Sequence, residues 1–225
     1  MQATEAERAQ GMQERVEVTG IVIKAEPMGE YDKRVVLLTK ERGKIAAFAR
    51  GARRTNSRFM APTGPFSFGT FQVYEGKSSY TICEASVSNY FEELRGDLEG
   101  ACYGMYFLEL CDYCTRENND EQEILKLLYQ SLRALTCRNI PRRLVRCIFE
   151  IRLIVLNGEF PGVPTQRLEP STRYAIEFIA VTPLEKLYTF TVTDAVLVEL
   201  ENVAGRYRRE YLPGNFHSLE VLQSL

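Results

Sequence analysis

The spacing of apolar residues changes once along this chain, and that change limits what it can fold into. Up to about Phe91 apolar side chains recur at every second position, whereas from Asp97 onward they recur every three to four. A segment with strand period followed by one with helix period reads as an α+β chain, sheet first and helices after it. In the first segment Thr19, Ile21 and Ile23 alternate with Val18, Val22 and Lys24, and a turn-like stretch follows at Pro27 to Glu30. YDKRVVLLT and KIAAFAR are then separated by Glu41-Arg42-Gly43, and FSFGTFQVYEG and SSYTICEASVSNYF turn at Gly76 and Lys77. Five short antiparallel strands in about 75 residues fit a small closed barrel, for which the OB-fold is the common five-stranded solution. We expect it over residues 16–92, with GARRTNSRFMAPTGP as a loop between its third and fourth strands.

An α-helical domain is expected over residues 93–225. Leu98, Cys102, Met105 and Leu108 mark one helical face; Ile124, Leu128, Ser131 or Leu132, and Leu135 a second; Leu144, Ile148, Ile151 and Val155 a third, with Pro141 suited to its first turn. NGEFPGVP interrupts the pattern and predicts a short loop at about 157–170. Further helices are expected near Ser171 to Ala180 and from Asp194 to Tyr211, the latter capped by Thr193 or Asp194. Residues 1–15 are polar and aperiodic, which predicts a flexible tail, and Met12 is an alternative start.

The net charge of −2 predicts no general affinity for polyanions, but the distribution is uneven. Between Val16 and Tyr80 eleven Lys and Arg oppose six Asp and Glu; from Thr81 onward 15 bases oppose 21 acids. The sharpest feature is Arg50-Gly51-Ala52-Arg53-Arg54-Thr55-Asn56-Ser57-Arg58, where forked guanidinium donors sit among small residues that let a phosphate backbone approach. Lys33, Arg34 and Lys44 widen the same basic face. Phe59, Phe66, Phe68, Phe71, Tyr74 and Tyr80 follow closely and read either as base-stacking rings or, with more weight, as barrel core. In the acidic remainder, Arg138, Arg142, Arg143, Arg146 and Arg152 concentrate near a helix N-terminus, where basic charge is unfavourable, and suggest a dock for an acidic peptide or a second nucleic-acid contact. Arg206, Arg208 and Arg209, at a helix end, divide evenly between capping and binding.

Catalytic chemistry has little to work with. His217 is the sole histidine, and no P-loop, GxGxxG or HExxH occurs. Cys111-Asp112-Tyr113-Cys114 is a CxxC, but it lies in an apolar helical pattern without a second metal-ligand pair, so core thiols are the expected reading, with no metal and no cofactor. No apolar run approaches the ~20 residues of a membrane span, and no signal-peptide core is present, which predicts a cytoplasmic protein.

The string TGIVIKAEPMGEYDKRVVLLTKERGKIAAFARGARRTNSRF resembles the N-terminus of the RecO family. The matching positions are Gly20-Ile21-Val22, Gly29-Glu30-Tyr31-Asp32, Thr39 with Gly43, and Ala49-Arg50-Gly51 with Arg53 and Arg54. Pro65-Phe66-Ser67, the Tyr80-Thr81 strand, and LEKLYTFTVT and NFHSLEVL near the end extend the likeness, the last two in the manner of clostridial members. The resemblance implies a non-enzymatic recombination mediator in DNA repair, associated with the nucleoid. It would bind single- and double-stranded DNA, anneal complementary strands and help load recombinase onto DNA covered by single-strand-binding protein. It also implies two protein partners, RecR and the acidic C-terminal tail of single-strand-binding protein. Many members carry a four-cysteine zinc module after the third helix; here NGEFPGVPTQRLEPS holds no cysteine. The principal alternative is a helical adapter acting through protein contacts with weak DNA binding, and a third is a thiol oxidoreductase using Cys111 and Cys114.

Overall fold

The computed structural model describes residues 14–77 and 79–224, and it divides the chain into two compact units, each described by itself. The expected N-terminal tail and the alternative start at Met12 lie outside the described residues, except for Glu14, whose carbonyl accepts from the Glu75 amide at 3.1 Å, and Arg15, which begins the first strand. Five strands form the first unit: β1 (Arg15–Met28), β2 (Asp32–Thr39), β3 (Gly43–Ala49), β4 (Phe68–Glu75) and β5 (Tyr80–Asn89). They close in the order β1-β2-β3-β5-β4, the five-stranded OB-type barrel that the alternation implies.

β1 is long because it serves two neighbours. Its first half pairs with β4 (Val18 opposite Phe71) and its second half with β2 (Met28 opposite Asp32), with a bulge between Val22 and Lys24. Gly20 faces Gly69 across this corner, where a Cβ on Gly20 would lie 2.3 Å from the Leu38 carbonyl oxygen and one on Gly69 2.1 Å from that of Ser86. Only glycine fits that approach. Closure is completed by a short parallel seam, Ala47 opposite Tyr80 and Phe48 opposite Thr81. Val18, Val22, Val35, Leu37, Ile45 and Phe71 are among the residues that fill the interior, and Ala52 and Phe59 of the β3–β4 connection pack with them.

The barrel unit is not one continuous stretch of chain. Arg116–Glu121 belongs to it although the preceding and following residues belong to the second unit. The Arg116 carbonyl accepts from the Lys44 amide at 3.0 Å, the Asn118 amide donates to the Arg42 carbonyl at 3.1 Å, and Gly43 bridges to Glu117. The boundary near residue 92 is therefore crossed again, because the β2–β3 turn takes its outer hydrogen bonds from a segment that follows a helix.

Among the described residues the second unit holds α1 (Glu92–Arg95), α2 (Leu98–Cys114), α3 (Gln122–Thr136), α4 (Arg142–Leu156), α5 (Pro170–Val181), α6 (Asp194–Tyr211) and α7 (His217–Ser224). α3 and α4 bury the faces their periods mark, except that Val155 is only half-buried. In α2 the face differs in part from the expected one: Leu108 is buried, but Leu98 is 70% exposed and Cys102 and Met105 are half-buried, while Tyr103, Tyr106, Phe107, Leu110 and Cys111 are buried. The helix is apolar on several sides and its aromatic rings win the interior, Phe107 stacking on Phe149 with centroids 4.1 Å apart. Pro141 stands at the N-cap of α4 and the Thr193 hydroxyl caps α6. No helix among the described residues is long and apolar enough to cross a membrane.

Candidate nucleic-acid interface

The β1–β2 hairpin and the turn that follows β3 are tied together by three hydrogen bonds. Gly29 takes a positive φ of 59° at the hairpin tip, and Asp32, the first residue of β2, turns its carboxylate onto the Gly51 amide at 2.7 Å. Gly51 itself has φ 66°, which starts a run of tight turns: Arg54 N–H to the Gly51 carbonyl, Ser57 N–H to that of Arg54, and Met60 N–H to that of Ser57, each at 3.1 Å. The Arg53 amide donates to the Tyr31 carbonyl at 2.8 Å, and Arg53 Nη1 to the Gly29 carbonyl at 2.9 Å. The loop expected between the third and fourth strands is thus an ordered series of turns strapped to the hairpin.

On this frame Arg50, Arg53, Arg54 and Arg58 are all exposed. The Arg54 guanidinium lies 4.9 Å from the centroid of the Tyr31 ring; that of Arg58 lies 4.8 Å from the centroid of Phe59 while donating to the Cys83 carbonyl of β5 at 2.9 Å. These contacts engage part of each fork of five N–H donors and position the charge rather than neutralise it, since the partners are rings and carbonyls. Lys33 joins the group through Met60 O and Thr63 Oγ1, at 3.1 and 3.2 Å. Arg34 does not add free charge: it shares Glu26 with Lys24, and a hydrogen bond from Lys24, with the charges of Lys24 and Arg34, holds the Glu26 carboxyl below its ordinary value. Lys44 stands near the far end of β3, ~17 Å along the strand from Ala49, the residue before Arg50, at about 3.3 Å per residue. Tyr31 and Asp32 fall in the Gly29-Glu30-Tyr31-Asp32 match to the family pattern, but the sequence assigns neither a role at this interface. The available signal was an aromatic residue in a polar turn, where no core exists for it to fill.

The ring candidates are mostly drawn inward, on the strands and in the β3–β4 connection alike. Phe59, Phe66, Phe71 and Tyr80 are buried, and Phe68 and Tyr74 half-buried.

The arginines of the helical unit are taken up internally. Arg142 bridges Asp97 and Glu99, where Asp97 also accepts from the Gly100 amide and caps α2; hydrogen bonds from Gly100 and Arg142 hold the Asp97 carboxyl below its ordinary value. Arg143 pairs with Glu201 on α6. Arg152 donates to the Ile179 and Ala180 carbonyls, the open end of α5. Arg146 pairs at 2.9 Å with Glu150, which is 1% exposed and also accepts from the Tyr106 hydroxyl at 2.6 Å. Burial, with the Glu150 charge beside it, pushes the Tyr106 hydroxyl far up and keeps it neutral. Arg138 is exposed, at the rim of a cleft of about 640 Å³ lined by Leu94, Leu135, Ile140 and Pro141. Arg142, Arg143 and Arg152 therefore tie α4 to other helices, Arg146 pairs within α4, and Arg138 and Arg143 are the exposed arginines at the cleft, Arg143 with Glu201 as its partner.

Cys111 is buried and Cys114 half-buried at the C-terminal end of α2, the end at which the helix dipole disfavours a thiolate. No group of three or more metal-ligating side chains occurs among the described residues.

Family models match in two successive blocks: recombination protein O N terminal over residues 12–91 and recombination protein O C terminal over residues 95–164. Together they cover two-thirds of the chain. This chain belongs to the RecO family. Among its relatives, the "DNA repair protein RecO" of Acetivibrio thermocellus is 28% identical over 93% of this chain and 97% of its own length. That of Clostridium perfringens is 26% identical over 92% and 97%, and that of Symbiobacterium thermophilum 37% identical over 65% and 58%. This RecO-family chain is thus a DNA-repair protein, with its basic turn inside the N-terminal block and Arg138 inside the C-terminal one.

Proposed function

We propose that the chain is a non-enzymatic recombination mediator that binds single- and double-stranded DNA, anneals complementary strands, and helps load recombinase onto single strands covered by single-strand-binding protein, at the nucleoid in the cytoplasm. Arg50, Arg53, Arg54 and Arg58 hold phosphates, with Lys33 beside them. One observation carries this reading: the guanidiniums of Arg53, Arg54 and Arg58 are placed by carbonyls and rings instead of carboxylates, so their charge stays available to a polyanion. Arg34 and Lys44 contribute less, the first being paired with Glu26 and the second lying at the other end of its strand. RecR and the acidic tail of single-strand-binding protein are the protein partners, the tail meeting Arg138 and the exposed Arg143 at their cleft, with Arg142, Arg146 and Arg152 bracing the helices around it.

A salt series with single-stranded DNA tests the reading. Each lost phosphate contact removes about 0.7 from the slope of log affinity against log salt, so replacing Arg50, Arg53 and Arg54 by Ala should flatten it by roughly 2, and similarly for all base sequences. Equal slopes for two folded proteins would transfer the function to protein contacts and make the chain an adapter.

A further inference from the structure

Phosphate contacts explain affinity for a backbone but not a preference for unpaired bases, and the strand rings that could stack are largely inside the barrel. Of the large apolar side chains that the barrel unit exposes among its described residues, all three are in one place: Met28 at 44%, Tyr31 at 43% and Met60 at 46%. Met28 pairs with Asp32 across the hairpin, Tyr31 occupies the tip, and the Met60 carbonyl receives Lys33 Nζ. The arginine turn is bound to this same tip through the Tyr31 and Gly29 carbonyls. Tyr31 has its backbone fixed by Arg53 and a guanidinium 4.9 Å from its ring centroid, an arrangement that holds an aromatic plane in water without burying it.

We propose that Tyr31 is the base-stacking platform of this interface: one unpaired base lies on the ring face away from Arg54, Met28 and Met60 flank it, and the arginines grip the phosphates on either side. The inference rests on the DNA-binding reading above and adds what that reading lacks, a contact available to a single strand and not to a duplex whose bases are already stacked. Every base offers a π face, so the contact is tolerant of sequence.

The chain contains no tryptophan, so Tyr31→Trp creates a single fluorescent reporter at the proposed contact. The probes are oligothymidylate and an abasic oligonucleotide of equal length. Oligothymidylate should quench the tryptophan and the abasic strand should not. Tyr31→Ala should weaken oligothymidylate binding by between about fivefold and about 150-fold, leave abasic binding and the salt slope as in the wild type, and be rescued by Tyr31→Phe. Wild-type oligothymidylate affinity in Tyr31→Ala, or an equal loss on both probes, would overturn the proposal while the arginine triple variant still flattened the slope. If the triple variant kept the wild-type slope, the underlying DNA-binding reading would fail and the stacking proposal with it.

Discussion

Asp32 joins the hairpin to the basic turn through a single acceptor, so its replacement tests whether that turn is held or merely adjacent. The Asp32 Oδ1 to Gly51 N contact is 2.7 Å and partly buried. A hydrogen bond to a charged group is worth about 1.5 to 3 kcal/mol, and part of that remains when the carboxylate becomes an amide that still accepts. Asp32→Ala should therefore speed hydrogen exchange at the Gly51 amide by roughly 10-fold to 150-fold, with Asp32→Asn between it and the wild type. The Leu37 amide in the middle of β2 provides the control, because it reports loss of the whole barrel rather than release of the turn. If the turn supplies the phosphate grip, affinity for single-stranded DNA should fall in the same order, alanine below asparagine below wild type. Gly51 exchange that accelerates no more than that of Leu37 in the alanine variant would show that the carboxylate does not hold the turn, and the reasoning from Asp32 to DNA affinity would be refuted.

In the helical unit, Arg146→Met should destabilise by about 3 to 5 kcal/mol, since it leaves the Glu150 carboxylate buried beside Tyr106 without its cation; replacing Arg146, Glu150 and Tyr106 together by Met, Leu and Phe should recover most of that loss in a denaturant titration. Asp97 gives a pH signature. Its folded value lies below the unfolded 3.8, so its contribution is fully present above pH 3.8 and is lost as pH falls through the folded value. Asp97→Ala should thus cost about 1 kcal/mol near neutrality and progressively less in denaturant melts below that pH; a constant difference would remove Asp97 as the source.

How much of this was legible depended on whether the deciding contact was local. The barrel could be read because Ile45, Ala47 and Ala49 in β3, and Phe71 and Val73 in β4, alternate with less buried neighbours, and the period itself points them inward. The arginine turn was equally plain, being nine consecutive residues. By contrast, the acidic partners of Arg142 and Arg143 lie 45, 43 and 58 positions away, so a linear sequence shows a basic cluster where the fold makes three ion pairs. α2 misled for a different reason: an apolar residue at each of Leu98, Cys102 and Met105 satisfies the helical period, yet ring size at Tyr103, Tyr106 and Phe107 decides which side packs. Tyr31 could be matched to the family pattern but not given a role, because exposure is a property of the folded surface and a turn aromatic has no periodicity to announce it.

The return of Arg116–Glu121 to the barrel has a consequence for the order of events during synthesis. A ribosome delivers β5 well before it delivers this segment; the interval is about thirty residues, or roughly two to six seconds at ordinary elongation rates. Throughout that time the nascent barrel has all its strands, but the Lys44 amide and the Arg42 carbonyl at the β2–β3 turn lack their eventual partners. α2 must emerge before the corner can be sealed, so completion of the barrel unit waits on the first long helix of the other unit. A gene fragment stopped at the end of β5 would encode every strand of the barrel and still leave it unfinished.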